Sequence, residues 1–479
     1  MERWRLLYPR FCYPFRTNYS FLLHMNYFVM KRLIIILPLL ALLSSGVNAQ
    51  KSWTLNDCIS YALQNNIQLK RQELQVNASQ KDYRQGIMEF APSITSGAEH
   101  TFVSGREFNQ YSLSFEDYNN QEGYFYATAS LDLFKGFSNW NGMRALKYEL
   151  ESAKAATESL KNDITINVSV GYLQVLYAME AKVLAEKQAQ VAQIQSEKAA
   201  MQFELGSLSQ GQMVEVKAQY LMRKSELTNA SNSLNLSVLD LKQMLEIPDS
   251  VEFIIDSTPL QIENLAAGVS VSSIYEEALA VQPVIRKAEL DIKAANKRLN
   301  QLYGELSPSL SVGYQISSGY NQSAGYKVSD TEWVFYPDYT YGEQIKDFLN
   351  QRVYFNLTVP IFQKYNRITR IGKGKINLLD AKFAKEQVEK GLLKKVEQAH
   401  ADSKASWDKY LANKESVAAF TEVFEETRKK FELGMVSAID FGLAQSNLVK
   451  AEGDLLHAKY SYVLRTKILD FYRGVPISI

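Results

Sequence analysis

Two halves of this chain repeat one another, and that duplication limits the fold more than any single motif does. Ala62-Leu63, Glu73-Leu74, Ala78, Pro92-Ser93-Ile94 and Gly97 are matched, without a gap, by Ala278-Leu279, Glu289-Leu290, Ala294, Pro308-Ser309-Leu310 and Gly313, at a constant spacing of 216. Further along, Phe134 is matched by Phe362 and Gly206 by Gly434, now at a spacing of 228. The second copy therefore holds twelve additional residues between Gly313 and Phe362. The longest identical stretch is Phe203-Glu204-Leu205-Gly206, followed by Ser209, against Phe431-Glu432-Leu433-Gly434, followed by Ser437 and Asp440. A repeat at fixed spacing marks one structural unit used twice. Glycine accepts the left-handed conformation that follows a helix cap. Both stretches thus read as the tips of long helical hairpins.

Within each copy the same order of patterns recurs. A helix is expected from Leu55 to Glu89 and from Val271 to Glu305, ended by Pro92 and Pro308, which open a strand. Leu310, Val312, Tyr314 and Ile316 alternate with small polar residues, the period of a two-faced strand. A returning strand sets Phe125, Ala127, Ala129, Leu131 and Leu133 against Tyr124, Tyr126, Thr128, Ser130 and Asp132. Its counterpart sets Val353, Phe355, Leu357, Val359 and Ile361 against Tyr354, Asn356, Thr358 and Pro360. Asn139 and Asn366 are the expected N-caps of the helix that follows. That helix runs for about 65 residues, or about 100 Å. The helix after the tip carries Phe441, Ala444, Leu448, Ala451, Leu455, Ala458 and Tyr462, an alternating three and four spacing that belongs to coiled coils. The first copy keeps that register through Met213, Val216, Tyr220, Leu227, Ala230 and Leu234, with Arg223 as the one interruption.

Residues 1–49 read as a secretory leader: Lys31-Arg32, an apolar run from Leu33 to Leu43, and Val47-Asn48-Ala49 as a cleavage site. The run is too short to span a bilayer, and residues before Met25 or Met30 read as an upstream extension. The expected domains are a first repeat over 50–245, with a β-hairpin at about 93–134 and a tip near 206, then a linker over 246–270. A second repeat over 271–479 has a β-hairpin at about 309–362 and a tip near 434. A net charge of +1 points to no nucleic-acid partner. Cys12 and Cys58 are too few for a disulfide framework or a cysteine-rich metal site.

Four two-faced strands cannot close a barrel, and alone they leave open edges. Three chains together supply twelve strands, an even number suited to an outer-membrane barrel with apolar faces toward lipid and polar faces toward water. Phe102, Tyr124, Tyr126 and Tyr354 are placed to form interfacial aromatic girdles. The expected fold class is therefore an α+β membrane protein. It is a duplicated helix–strand–strand–helix–helix unit that forms a trimeric 12-stranded β-barrel joined to a long α-helical coiled-coil tunnel.

The leader, the duplicated order of elements, the Ala91-Pro92-Ser93 strand start and the twin Glu-Leu-Gly tips resemble the TolC-like outer-membrane efflux family. The ending Leu469-Asp470-Phe471-Tyr472-Arg473-Gly474-Val475-Pro476 is also similar to that family. The resemblance implies a homotrimeric exit duct of a Gram-negative bacterium, set in outer-membrane lipid with its helical tunnel in the periplasm. It also implies docking to a periplasmic adaptor and an inner-membrane pump, for efflux or type I secretion. By the same resemblance Leu205, Gly206, Ser207, Leu433, Gly434 and Met435 contact the adaptor. A tunnel constriction is implied at Asp440, which three chains bring together as close acids favouring cations. Two family features are missing: the second acid is replaced by Leu443 and a closing arginine by Val436, while Gln212 stands where the first copy needs an acid. A weaker electrostatic gate, or a partly hydrophobic one built from Phe441 and Leu443, is the expected outcome. The alternative is a non-conducting trimeric coiled-coil envelope scaffold or adhesin.

No catalytic constellation is legible. His100, His400 and His457 are far apart in sequence, and Gly372-Lys373-Gly374-Lys375 lies inside a helix pattern without phosphate-loop spacing. An enzyme is not expected, nor is a cofactor or a metal. The loop Tyr320–Asn350, with Trp333, Phe335, Tyr336, Tyr339 and Tyr341, reads as a packed or lipid-rim extracellular segment rather than a binding site.

Overall fold

A computed structural model describes residues 52–109, 113–248, 251, 253–256, 270–322, 325–329, 332–335 and 339–477. The leader expected over 1–49 and most of the 246–270 linker lie outside the described residues. The chain divides into two compact units. In the small one, β1 (Ser52–Trp53) pairs in parallel with β4 (Ile254–Ile255), and the Trp53 ring lies 5.3 Å from that of Phe253.

The large unit holds the remaining elements, in chain order. The first copy contributes α1 (Leu55–Asn65), α2 (Ile67–Met88), β2 (Ser93–Asn109), β3 (Ser114–Lys135), α3 (Ser138–Glu204) and α4 (Gln210–Met244). The second contributes α5 (Val271–Val281), α6 (Pro283–Gly304), β5 (Ser309–Asn321), β6 (Gly325–Ser329), β7 (Glu332–Phe335), α7 (Tyr341–Asp347), β8 (Asn350–Thr358), α8 (Asn366–Glu432) and α9 (Ala438–Tyr472). The two longest helices, α3 and α8, have 67 residues each, and α4 and α9 have 35 each. No helix among the described residues is long and apolar enough to cross a membrane.

Two local expectations are corrected. The opening helix of each copy is broken, at Asn66 and at Gln282. Asn66 ends α1 and caps α2 through the Leu69 amide at 3.1 Å, a bond that competes with helix continuation. Gln282 precedes Pro283, which forces it into an extended conformation. Nor do Asn139 and Asn366 cap the long helices. Those begin after two consecutive left-handed residues, Gly136 and Phe137 in the first copy and Lys364 and Tyr365 in the second. Each strand turns into its helix through this pair, which leaves no extended residue to act as a side-chain cap. Gly136 sits against the backbone of Gly304, where an added Cβ would lie 2.1 Å from the Gly304 carbonyl oxygen.

Strands β2, β3, β5 and β8 form one antiparallel sheet in that order, so β2 and β8 are its edges. The register puts Ile94, Phe102, Phe125, Ala127, Leu131, Val312, Ile316, Val353 and Phe355 on one face. Ser93, Thr95, Glu99, Tyr124, Tyr126, Gln315, Arg352 and Tyr354 lie on the other. Of the expected girdle residues only Phe102 is on the apolar face. Tyr126 and Tyr354 instead cover glycines on the polar one: a Cβ at Gly97 would meet the Tyr126 ring at 2.7 Å, and one at Gly313 the Tyr354 ring at 2.2 Å. The longer connection of the second copy carries β6, β7 and α7. Helix α7 lies on the apolar face, where the Ser318 hydroxyl donates to the Ile345 carbonyl at 2.6 Å and Tyr341 packs on Phe125 and Tyr320. Tyr339 donates to Asp347 at 2.9 Å, whereas Tyr336 lies outside the described residues.

In the helical part, Phe441, Ala444, Ala451, Ala458 and Tyr462 are buried, as their heptad spacing requires. Arg223, which interrupts the apolar series of the first copy, is buried too and donates to Glu226 at 2.8 Å. The copies pack their opening helices by opposite means. In the first, Gly86 on α2 receives the Leu146 side chain of α3. In the second, at the equivalent positions, Gly374 on α8 receives the Leu302 side chain of α6.

Cys58 is fully buried on α1, and burial pushes its thiol up to about 12. Since the thiolate is the reactive species, the folded protein is expected to leave Cys58 unlabelled by maleimide at pH 8, with labelling appearing only on denaturation. Rapid labelling of the native protein would contradict this packing.

Candidate functional site

The two tips are built alike. Leu205 and Leu433 cap α3 and α8, and Gly206 and Gly434 follow with φ of 74° and 73°. The amides of Gly206 and Ser207 return to the carbonyls of Phe203 and Gln202, and those of Gly434 and Met435 to Phe431 and Lys430. This paired closure satisfies carbonyls that a helix end otherwise leaves open. Leu205, Leu433 and Met435 are exposed, so each tip presents apolar side chains on a fixed backbone.

The next helix starts with a reciprocal cap in both copies. Ser209 and Gln212 bond each other's backbone amides at the start of α4, and Ser437 and Asp440 do so at the start of α9. Gln212 thus holds the same structural position as Asp440 with a neutral group. The Ser437 hydroxyl donates to Asp440 at 2.7 Å, and the carboxylate lies at the positive end of the α9 dipole.

Of the three residues expected at a constriction, the structure brings Asp440 and Leu443 together and sets Phe441 apart. Asp440 and Leu443 are both exposed, one helical turn apart on one face of α9. Phe441 points the other way and is 2 % exposed, with its ring stacked on Phe431 at 4.8 Å and packed against Phe424 at 5.7 Å. The tips also meet each other: Ala199 and Val216 of the first copy share a small core with Ala438 of the second, flanked by Leu208 and Phe431. Nearby, Gln219 donates to the Ala438 carbonyl at 3.5 Å and occupies the space beside Gly442. Sequence reasoning missed Gln219, although the glycine at 442 inside a heptad helix was a signal of close approach.

The sheet supplies a second candidate surface. On its polar face, Glu99, Thr101, Glu122, Tyr124 and Ser317 line a recess of about 470 Å³. Glu122 accepts from the amides of Asn120 at 2.8 Å and Asn321 at 3.3 Å. Two histidines serve as packing groups: His100 stacks beside Tyr320, and His457 lies edge-on to Tyr177. Among the described residues no group of His, Cys, Asp and Glu could hold a metal ion.

A two-faced sheet, two very long helices and paired tips together describe a wall with a conduit-like periodicity rather than a reaction site. The sequence profile described as "Outer membrane efflux protein" matches residues 58–245 and 274–474, which takes in both copies. The chain belongs to the outer membrane efflux protein family. It is 20% identical to outer membrane protein TolC of Escherichia coli K12 over 441 residues, 91% of this chain and 85% of that protein. It is 22% identical to the alkaline protease secretion protein AprF of Pseudomonas aeruginosa over 321 residues, 66% of this chain and 62% of that one. Among solved structures, CusC superposes with a TM-score of 0.75 at 19% identity, covering 90% of this chain and 93% of that one. The Campylobacter jejuni outer membrane channel CmeC does so with 0.73 at 16% identity, covering 89% and 87%. Family membership makes the protein an outer-membrane channel for efflux or type I secretion in a Gram-negative bacterium, a passive conduit and not an enzyme. Channels of this family work with adaptor and pump partners.

Proposed function

We propose that three copies of this chain close a twelve-stranded barrel and a twelve-helix tunnel, forming the exit duct that a periplasmic adaptor joins to an inner-membrane pump. The observation that carries this reading is the open sheet. Its four strands leave β2 and β8 as free edges, and its apolar face, with Ile94, Phe102, Phe355 and Leu357, is exposed. Such a face and such edges are stable in contact with lipid and with further strands. Three sheets supply twelve strands, the apolar faces meet outer-membrane lipid, and Glu99, Thr101 and Tyr124 face the water-filled interior. Four long helices per chain, α3, α4, α8 and α9, extend the wall by about 100 Å. Leu205, Gly206, Ser207, Leu433, Gly434 and Met435 form the adaptor contact, because the tips present apolar side chains on a backbone held by its own hydrogen bonds. Asp440 and Leu443 narrow the tunnel near the tips, and Phe441 supports them from within the α8–α9 hairpin.

The test is planar-bilayer conductance of the purified trimer beside Asp440→Gln. Glutamine keeps the cap, as Gln212 does in the first copy, and removes only the charge. Small cation-selective openings that lose selectivity several-fold in the variant are expected. No conductance from either protein, with folded trimers in the outer membrane and no adaptor co-purifying, overturns the duct in favour of a scaffold.

A further inference from the structure

Helix α7 lies against the apolar face of the sheet, and the chemistry of its two faces indicates what covers it. Its placement follows from unequal strand lengths. Strand β8 begins at Asn350, opposite Ser317, whereas β5 runs on to Asn321. Residues 318–321 of β5 thus have no β8 partner, and left alone they would form an open edge. Helix α7 occupies this gap. The Asn321 amide donates to the Gln344 side chain at 2.9 Å, Gln344 donates to the Tyr339 carbonyl at 3.0 Å, and the Ser318 hydroxyl donates to the Ile345 carbonyl at 2.6 Å. Gln344 is 2 % exposed and Ser318 7 % exposed, so these polar groups are buried with their partners in place. Attachment at both points holds α7 at a fixed height on the sheet. The first copy builds no such helix: β2 and β3 stay paired as far as Asn109 and Ser114.

That height coincides with the upper margin of the apolar face. Below α7, Leu310, Val312, Tyr314 and Ile316 of β5 share this face with Val353, Phe355 and Leu357 of β8. The stretch from Leu310 to Tyr320 spans about 33 Å along the strand, or about 25 Å vertically at a tilt of about 40°, the height of an outer-membrane apolar band. At its upper end aromatic rings gather. His100 lies 4.7 Å from Phe102 and 6.4 Å from Tyr320, and Tyr341 of α7 lies 5.0 Å from Tyr320 and 6.1 Å from Phe125. Aromatic side chains collect where acyl chains give way to headgroups. Beyond this level β2 and β3 continue as a two-stranded hairpin with the polar cross-strand pairs Ser104–Asn119 and Arg106–Asp117, a surface made for water.

The helix itself is two-faced. By helical spacing Tyr341, Gln344 and Ile345 share the side turned to the sheet, whereas Glu343, Lys346 and Asp347 are exposed. Charges on a lipid-facing surface are costly at mid-depth and cost little at the interface. The outward side of α7 therefore fits the headgroup layer and not the acyl chains, although the sheet beneath it is apolar. We propose that α7 docks on the headgroup layer of the outer leaflet, seals the gap above β8 and fixes the height at which the duct sits in the membrane. This rests on the outer-membrane duct proposed above and adds the element that meets the lipid headgroups.

The test measures depth with a nitroxide label on the full-length protein in vesicles of phosphatidylcholine and phosphatidylglycerol. One label is placed at a time, through Lys346→Cys on α7, Val353→Cys within the apolar band or Asp117→Cys on the hairpin above it; all three side chains are exposed, and the native Cys58 is fully buried. Collisions with oxygen, which concentrates among acyl chains, are compared with collisions with a water-soluble nickel chelate. The oxygen-to-nickel ratio at Lys346→Cys is expected about threefold below that at Val353→Cys and about threefold above that at Asp117→Cys, as an interfacial depth requires. A ratio equal to that of Asp117→Cys places α7 in open water and overturns the docking, and one equal to that of Val353→Cys places it among acyl chains and overturns it too. Should Val353→Cys itself match Asp117→Cys, the apolar face does not meet lipid, and the duct reading falls with it.

Discussion

Phe441→Ala is expected to cost about 3 kcal/mol of stability, while Leu443→Ala, two residues further along α9, costs less than about 0.5 kcal/mol. The contrast follows from where the two side chains point. Phe441 is buried between Phe424 and Phe431, so truncation leaves a cavity that two aromatic rings cannot fill. Leu443 is 61 % exposed and fills nothing within its own chain. Urea denaturation of the detergent-solubilised protein gives the stabilities, and bilayer recordings give the complementary readout. Leu443→Ala is expected to widen the conducting state, and Phe441→Ala to shift it only through loosening of the hairpin. A Phe441→Ala protein of native stability and larger conductance would mean that this ring lines the tunnel.

Gly136→Ala is expected to be similarly damaging, at about 3 kcal/mol, from a left-handed alanine and from overpacking together. The clash is with backbone, the Gly304 carbonyl at 2.1 Å from the new Cβ, and no side-chain rotation can relieve it. The equivalent residue of the second copy tells the opposite story. Lys364 has φ of 48° without any such neighbour, so Lys364→Gly removes strain and is expected to raise stability by about 0.5–1 kcal/mol after the larger backbone entropy of glycine is counted. Thermal unfolding of the detergent-solubilised protein, followed by circular dichroism, measures both. Equal tolerance of Gly136→Ala and Lys364→Gly would show that the strand-to-helix turn is not under the stated constraint.

Much of this was legible in the residues. The repeat offsets, the alternation in β3 and the glycine tips each follow from a local rule, and each copy's order of elements follows from them. The heptad through Phe441, Ala444 and Leu448 already places Phe441 in the hairpin core, in tension with the gate role expected for it where the family's second acid and arginine are missing. What stayed hidden was set by contacts remote in sequence. Which face Tyr126 and Tyr354 serve depends on glycines across the sheet. The starts of α3 and α8 depend on a left-handed pair that Phe137, Lys364 and Tyr365 do not advertise, since none is a residue that favours it. The function of Gln212 could be read only once Asp440 was seen capping its own helix.

The exchanged glycine and leucine of the opening helices act as a pairing code. Glycine on α2 accepts leucine from α3, and leucine on α6 enters the groove left by glycine on α8. Exchanged on this one face, the partners fail in both senses: α2 in the place of α6 on α8 would oppose Gly86 to Gly374 and leave a void, and α6 in the place of α2 on α3 would drive Leu302 into Leu146, whereas the actual α3–α6 contact uses Gly142, Glu149 and Ser152 of α3. A chain whose halves repeat the same elements, with long helices of equal length, must still tell its own helices apart as it folds. Matched steric errors of this kind make the wrong pairing costly before folding is complete. They also imply that the opening helices of the two halves can no longer be exchanged.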